Sequence, residues 1–341
     1  MATRHGSARV TLPSDTEILI TRDFEASPER VWAAMTTPHH LLRWWGPDWH
    51  PLVSCEIDLR EGGRWRFVSR GVDGDELAWH GRYREVVPPE RLVSTEVFEG
   101  NPQAPVVTIT TLSHADGITT VRTLVQHTST QARDNHVHSG MESGLQGSYN
   151  RLDDVLATPE TAADRFRRVA GRFGDRVREV SPRAWQNPAP CAGWTARDVV
   201  VHLVEWVPSV IGRAGVSFEG MPVATEDPVG AWEELARRLQ EALEDEEVAG
   251  RSFDVGPPGQ MQVAQAIDML VTPDVLVHTW DLARAAGLDE RIDADLAAQA
   301  LAGMEPMDQA LRDSGHYGPR VPVAAEASVQ TRLLAFTGRQ V

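Results

Sequence analysis

The chain has 341 residues, of which 41% are hydrophobic and 24% charged, and its formal net charge at pH 7 is −16. The length suggests about two domains, and the composition is ordinary for a globular protein rather than a fibrous or disordered one. The excess of negative charge argues against nucleic acid or an anionic membrane as the main partner.

No apolar run in the sequence approaches the length of a membrane span, and the N-terminus lacks the hydrophobic segment of a signal peptide. We therefore expect a cytoplasmic protein whose partner is a small-molecule ligand or substrate. Cys55 and Cys191 are the only cysteines. They fall in different predicted domains, which argues against a disulfide framework.

The first half of the chain predicts an α+β domain over residues 16–157. Residues 1–15 are small and polar and predict a disordered lead-in. A strand pattern over 16–26 is followed by Ser27-Pro28, which indicates a helix start, and by a second short helix over 41–45. A helix over 141–156 closes the domain with an apolar face. Strand-like segments separated by turn signals fill the middle, over residues 53–59, 64–69, 77–87, 92–98, 106–112 and 118–127.

These segments carry a family resemblance. The runs E-A-S-P-E-R-V-W-A-A-M-T-T-P, R-W-W-G-P and G-G-R-W-R-F resemble the START-like, or SRPBCC, superfamily, in the branch named for activators of a heat-shock-protein ATPase. The resemblance implies a helix-grip fold with a cavity for an apolar ligand between a curved sheet and the long helix. Trp44, Trp45, Trp65 and Trp79 are candidates for lining that cavity, and core packing is the alternative.

The second half predicts an all-α helix bundle over residues 164–341, after a polar, proline-containing linker over 158–163. The helix over 272–286 begins with Thr272 as its predicted N-cap and ends at Gly287. It extends backwards over 263–270 if Pro273 only kinks it. The other predicted helices cover residues 166–177, 195–206, 232–248, 294–313 and 325–337.

Two of these helices carry a candidate metal site. Asp274 and His278 are four residues apart, so their side chains lie on one helix face, one turn from each other. His202 lies on the helix that starts after Thr195. Two imidazoles and one carboxylate match the three protein ligands and open position of a catalytic divalent-metal site. Zinc is the leading metal, and nickel or iron would accept the same ligands.

Three residues close to these candidate ligands could also contribute to the site. Asp281 follows His278 by three residues and predicts a helix cap, an acceptor that orients the imidazole, or an alternative ligand. Glu205, close to His202 in the chain, is a candidate general base. Cys191 could bind metal as a thiolate, although a small buried residue in a turn is the favoured interpretation.

Both metal motifs, C-A-G-W-T-A-R-D-V-V-V-H-L and D-V-L-V-H-T-W-D-L-A-R-A-A-G, resemble the DinB-like superfamily in the branch of mycothiol-dependent maleylpyruvate isomerase. The resemblance implies His202, Asp274 and His278 as metal ligands, with Asp274 where the isomerase has a glutamate. It also implies a low-molecular-weight thiol, held as a thiolate, in transfer to or isomerisation of a small electrophile. The alternatives are a non-enzymatic ligand- or stress-sensing protein with a structural or vestigial metal, and a chaperone-associated interaction module.

Overall fold

The computed structural model describes residues 8–256, 259–315, 317–324 and 326–341. The chain forms two compact units, Met1–Pro159 and Glu160–Val341. No helix in these described ranges combines the length and the apolarity that crossing a bilayer requires.

The first unit is built on an antiparallel sheet with the strand order β1-β2-β8-β7-β6-β5-β4-β3. Alternation along the strands places one set of side chains in the core: in β2, Ile18, Ile20 and Phe24 are buried. The strands are β1 (Arg9–Thr11), β2 (Glu17–Phe24), β3 (Leu52–Ile57), β4 (Arg64–Arg70), β5 (Glu76–Val87), β6 (Arg91–Phe98), β7 (Val106–Ala115) and β8 (Ile118–Gln126).

Helices cover the inner face of this sheet. They are α1 (Pro28–Thr36), α2 (Pro38–Trp44), α3 (Thr130–His138) and α4 (Met141–Ala157). Ser27 caps α1, as predicted, because its hydroxyl accepts from the Arg30 amide. In α4, Tyr149 and Leu152 are buried in the same core as the sheet, with the Tyr149 ring edge-on to Phe24 at 5.7 Å. A long helix against one face of an antiparallel sheet confirms the predicted helix-grip class.

The start of the chain differs from the prediction of a disordered lead-in over residues 1–15. Arg9–Thr11 forms β1, which pairs antiparallel with β2. The adjoining Ala8 exchanges two hydrogen bonds with the Gln146 side chain of α4, at 3.0 and 2.8 Å. A three-residue strand held by backbone hydrogen bonds needs no particular side chains. Its polar composition therefore did not distinguish it from a disordered segment. Residues 1–7 of the predicted lead-in lie outside the described residues.

The second unit is a helix bundle, as predicted, with one addition: a short hairpin of β9 (Ser252–Asp254) and β10 (Gln260–Gln262). Thr161 and Thr195 start α5 and α6 with capping boxes. The helices are α5 (Ala162–Glu179), α6 (Ala196–Ile211), α7 (Pro228–Glu244), α8 (Glu246–Ala249), α9 (Val263–Ala266), α10 (Thr272–Ala286), α11 (Ala294–Met304), α12 (Asp308–Asp313) and α13 (Val329–Phe336). Of the predicted helix over 325–337, Ala325 lies outside the described residues.

Helix α10 differs at its start from the sequence prediction. Thr272 does not cap it: the residue is helical, and its hydroxyl donates to the Ile267 carbonyl at 3.1 Å. A π-helical segment, Ile267–Val271, joins α9 to α10. Pro273 cannot donate a backbone hydrogen bond, and the wider π-turn accommodates that loss without ending the helix. The backward extension past Pro273 is therefore confirmed.

Candidate metal centre

Helices α6 and α10 pack against each other in the core of the bundle and bring His202, Asp274 and His278 together. The Nε2 atom of His202 lies 3.3 Å from Oδ2 of Asp274. On the same helix as Asp274, the Nε2 atom of His278 lies 3.4 Å from Oδ1. The spacing of four residues predicted this pairing within α10, and the helix packing supplies the second histidine.

One ligand atom from each of the three residues lies within 4.8 Å of the other two. Ligands about 2.1 Å from a tetrahedral metal are separated from each other by about 3.4 Å, which is close to both histidine–carboxylate separations, although these end on different oxygens of Asp274. The side chains of His202 and Asp274 are 31% and 22% exposed, whereas that of His278 is 5% exposed. The site is therefore enclosed at His278 and reachable from solvent at His202, so the donor set fits a divalent metal with a free coordination position.

A second set of contacts fixes the orientation of His278. Its Nδ1 atom lies 2.8 Å from Oδ2 of Asp281, a fully buried carboxylate. Arg339 donates two hydrogen bonds to the same carboxylate, from Nη2 to Oδ2 at 2.7 Å and from Nε to Oδ1 at 3.3 Å. Because a carboxylate accepts, the proton of His278 belongs on Nδ1, and Nε2 is left to face Asp274. Asp281 therefore lies where it can orient the imidazole, which is one of the roles predicted for it.

The charges around His278 also favour a cation. Burial lowers the pKa of His278, but the Asp274 carboxylate and the hydrogen bond to Asp281 outweigh it and raise that pKa to about 10. Burial raises the pKa of the Asp274 and Asp281 carboxyl groups. Even so, the charge of His278 leaves the pKa of Asp274 below its ordinary value. At Asp281, His278 and Arg339 together lower the pKa to about 2. Two anionic groups thus flank one imidazole, and a metal would take the place of its Nε2 proton.

Aromatic rings line the centre. A tight turn, in which Gly193 has a φ of 80°, brings Trp194 over the site. Its ring stacks on His278 at 5.8 Å between centroids and lies 4.9 Å from His202. Trp206, on α6, donates its indole N–H to Oδ2 of Asp274 at 2.9 Å. These contacts cover one side of the site with aromatic rings and hold the carboxylate of Asp274 in place.

Two other predicted neighbours differ in their relation to the centre. Glu205 is exposed, and none of the recorded contacts of described residues joins it to the three ligands. Cys191 is a free, partly buried thiol in the turn before α6, as the favoured interpretation predicted. Its sulfur donates to Oδ2 of Asp281 at 3.5 Å and lies 3.8 Å from Nη2 of Arg339. With His278 and Asp281, it forms a second group of atoms close enough to hold a metal.

Three further residues at this centre are absent from the sequence-based predictions. Trp206 and Trp194 look like core aromatics, and Arg339 lies 58 residues beyond Asp281. The position of Trp206 one turn beyond His202 on α6 was the available signal for it. No local pattern could have found Arg339, because only tertiary packing brings it to the site.

In the first unit, the four predicted cavity tryptophans separate into two groups. Trp44 and Trp65 are buried, and the Trp44 indole donates to the Ala34 carbonyl at 2.8 Å within the core. Trp45 and Trp79 are partly exposed, and their rings lie 4.9 Å apart on the inner side of the sheet. Trp45 and Trp79 are therefore the members of the set with a face open to a ligand.

Comparison with known proteins agrees with this division of the chain. The family model for the Activator of Hsp90 ATPase homolog 1-like protein matches residues 25–157. The model for the mycothiol maleylpyruvate isomerase N-terminal domain matches residues 166–283. Both resemblances drawn from the sequence motifs are thus confirmed.

Individual relatives each cover part of the chain. The uncharacterized proteins MT0763 and Rv0738, from two Mycobacterium tuberculosis strains, are 31% identical over 176 residues, which is 51% of this chain and 95% of theirs. Similar solved structures include a Rhodobacter sphaeroides protein, 28% identical with a TM-score of 0.43, over 44% of this chain and 99% of that one. A Mycobacterium smegmatis protein is also 28% identical, with a TM-score of 0.40, over 43% of this chain and 96% of that one.

Proposed function

We propose a function that starts from the two family matches, residues 25–157 to the Activator of Hsp90 ATPase homolog 1-like protein and residues 166–283 to the mycothiol maleylpyruvate isomerase N-terminal domain. From this premise, we propose that the chain is a cytoplasmic metal-binding protein whose second unit carries out thiol-dependent transfer to, or isomerisation of, a small electrophile. In this proposal the first unit binds an apolar ligand, which serves as the substrate or reports its presence.

The observation that carries the proposal is the convergence of His202, Asp274 and His278 at ligand spacing, with solvent access on one side. Zinc fits this N/N/O set, and nickel or iron would be accepted. A bound divalent cation would lower the pKa of a small thiol and hold it as a thiolate nucleophile at neutral pH.

Four other residues position the ligands and shape the site. Asp281 holds the proton of His278 at Nδ1, and Arg339 balances the buried charge of Asp281. Trp206 fixes the orientation of Asp274 through its indole N–H. Trp194 covers the His278 side, and the more exposed His202 would mark the approach for thiol and electrophile.

A non-enzymatic role is the second candidate, in which the metal is structural or vestigial and the protein senses a ligand or stress. The exposure of Glu205 favours it, because that position was the candidate for a general base. Metal removal separates the two candidates: the enzyme loses turnover, whereas the sensor loses only stability.

A thiol-binding titration on the full chain tests the leading proposal. Mycothiol is titrated by calorimetry into zinc-loaded protein, metal-stripped protein and the His202→Ala variant. We expect binding to the loaded wild type only, together with thiol-dependent consumption of maleylpyruvate or a model electrophile such as 1-chloro-2,4-dinitrobenzene. Equal thiol binding by loaded and stripped protein would contradict a metal-held thiolate. Metal binding without any thiol binding or turnover would favour the sensor.

A further inference from the structure

One row of residues across the sheet of the first unit combines a charged residue, a glycine and an aromatic ring. Strand register places Trp65 of β4 opposite Gly81 of β5, and Glu96 of β6 opposite Val106 of β7. Tyr83 pairs with Ser94 and Trp79 with Phe98, so Gly81 lies in the same row as Glu96. Trp65 and Val106 are buried in the core. Because side chains in one row share a face of the sheet, Glu96 lies on the inner face.

Glu96 is an unusual residue for this face. It is partly buried among apolar neighbours, and the structure records no hydrogen bond or ion pair to its carboxylate from any described residue. Burial alone, without any opposing cation, raises the pKa of Glu96 to about 7. A carboxylate in such a place is costly unless something pairs with it.

The same row contains a second unsatisfied polar group. The indole Nε1 of Trp65 is buried and has no hydrogen-bond partner among the described residues. A methyl group added at Gly81 would lie 2.7 Å from that nitrogen and 1.8 Å from the Thr95 carbonyl oxygen. The Trp65 indole and the Thr95 carbonyl therefore occupy the place that a side chain at Gly81 would take. The row thus contains an unpaired buried donor at Trp65 and, on β6, the carboxylate of Glu96.

Aromatic residues lie beside Glu96 on the inner face. Phe98 follows Glu96 by two residues on the same strand and face, and its ring lies 5.3 Å from that of Trp79. Trp79 in turn lies 4.9 Å from Trp45, and all three rings are partly exposed. Exposed aromatic faces beside a carboxylate are the combination that recognises organic cations with an apolar body.

We infer that Glu96 binds the ammonium group of an apolar amine whose apolar body lies against Trp45, Trp79 and Phe98. This inference rests on the proposed role of the first unit as a ligand-binding domain and names the class of ligand. A neutral apolar ligand would leave the Glu96 charge unpaired, and an anionic one would be repelled by it.

Three probes of nearly equal shape test the inference on the full chain at pH 8: 3-phenoxypropylamine, 3-phenoxypropan-1-ol and 3-phenoxypropanoate. By calorimetry, we expect the amine to bind at least about tenfold more tightly than the alcohol, the scale of one hydrogen bond to a charged group. The carboxylate should bind more weakly than either. The Glu96→Gln variant keeps the side chain's shape, so it should lose the preference for the amine while retaining its affinity for the alcohol.

The control is Glu56→Gln, which removes the same charge from an exposed position on β3 and should leave all three affinities unchanged. Equal binding of amine and alcohol by wild type, or a preference for the amine that survives Glu96→Gln, would overturn the choice of an amine while leaving an apolar-ligand role intact. Binding of none of the three probes would overturn the inference and count against the ligand-binding role as well.

Discussion

Replacing Glu96 by glutamine should stabilise the first unit in a pH-dependent way. The carboxyl group has an ordinary pKa of 4.5 and a pKa of about 7 in the folded protein, because burial disfavours its charged form. The folded state therefore holds the proton more tightly than the unfolded state, and stability falls as pH rises from about 4.5 to about 7. The shift corresponds to about 3 kcal/mol at most. Partial exposure of Glu96 reduces this, so we expect about 1–3 kcal/mol.

Hydrogen–deuterium exchange of peptides from β5, β6 and β7 measures this stability within the intact chain. Wild type and Glu96→Gln are compared at equal pH, so the intrinsic exchange rate cancels. The variant should match wild type near pH 4.5 and be protected by about 1–3 kcal/mol more at pH 8. Glu56→Gln should show no such trend. A pH-independent difference, or a Glu96→Gln variant that is less stable at pH 8, would mean that the ionised carboxylate has a stabilising partner and would refute the reasoning.

Three further substitutions test the contacts around the metal centre. Asp281→Asn removes the negative charge of the acceptor that sets the histidine tautomer and introduces a competing N–H donor. It should weaken metal binding by about 10- to 100-fold in chelator competition, whereas Asp313→Asn at an exposed position should not. Arg339→Ala leaves a buried carboxylate without its cation and should lower the free energy of unfolding by about 1–3 kcal/mol in denaturant titration, with Arg339→Lys recovering part of it; an unchanged midpoint would contradict the role given to this pair. Trp206→Phe keeps an aromatic side chain but loses the indole N–H that donates to Asp274, and it should weaken metal binding by about three- to tenfold. Retention of full affinity would show that the carboxylate is held by other contacts.

Most of the fold could be predicted because the signals are local. Turn residues and alternating apolar positions located the longer strands of the sheet, and caps such as Ser27 located helix starts. The misses are elements whose stability comes from distant partners. Strand β1 exists through pairing with β2, and Thr272 is helical because a π-turn accommodates the proline that follows it. Helix α3 carries little apolar periodicity, with Arg133 as its one buried residue.

The candidate sites divide in the same way. The Asp274–His278 pair is fixed by helix geometry, so its spacing was sufficient to predict it. Packing of α6 against α10 brings this pair to His202. The sequence motif indicated that His202 belongs to the same site, but it could not give the distance between the helices. Arg339 and the inner-face position of Glu96 could not be predicted from the sequence. Glu96 is one acidic residue within a strand pattern, and only the strand register reveals that it lies opposite Val106 on the inner face.

The central claim is that His202 and His278 hold a divalent metal, and elemental analysis of the purified chain tests it most directly. We expect near-stoichiometric metal in wild type and in His138→Ala, a control at an exposed histidine of α3, and loss of metal in both His202→Ala and His278→Ala. A wild-type chain that is empty and cannot be loaded with zinc, nickel or iron, or metal retained in both variants, would contradict it.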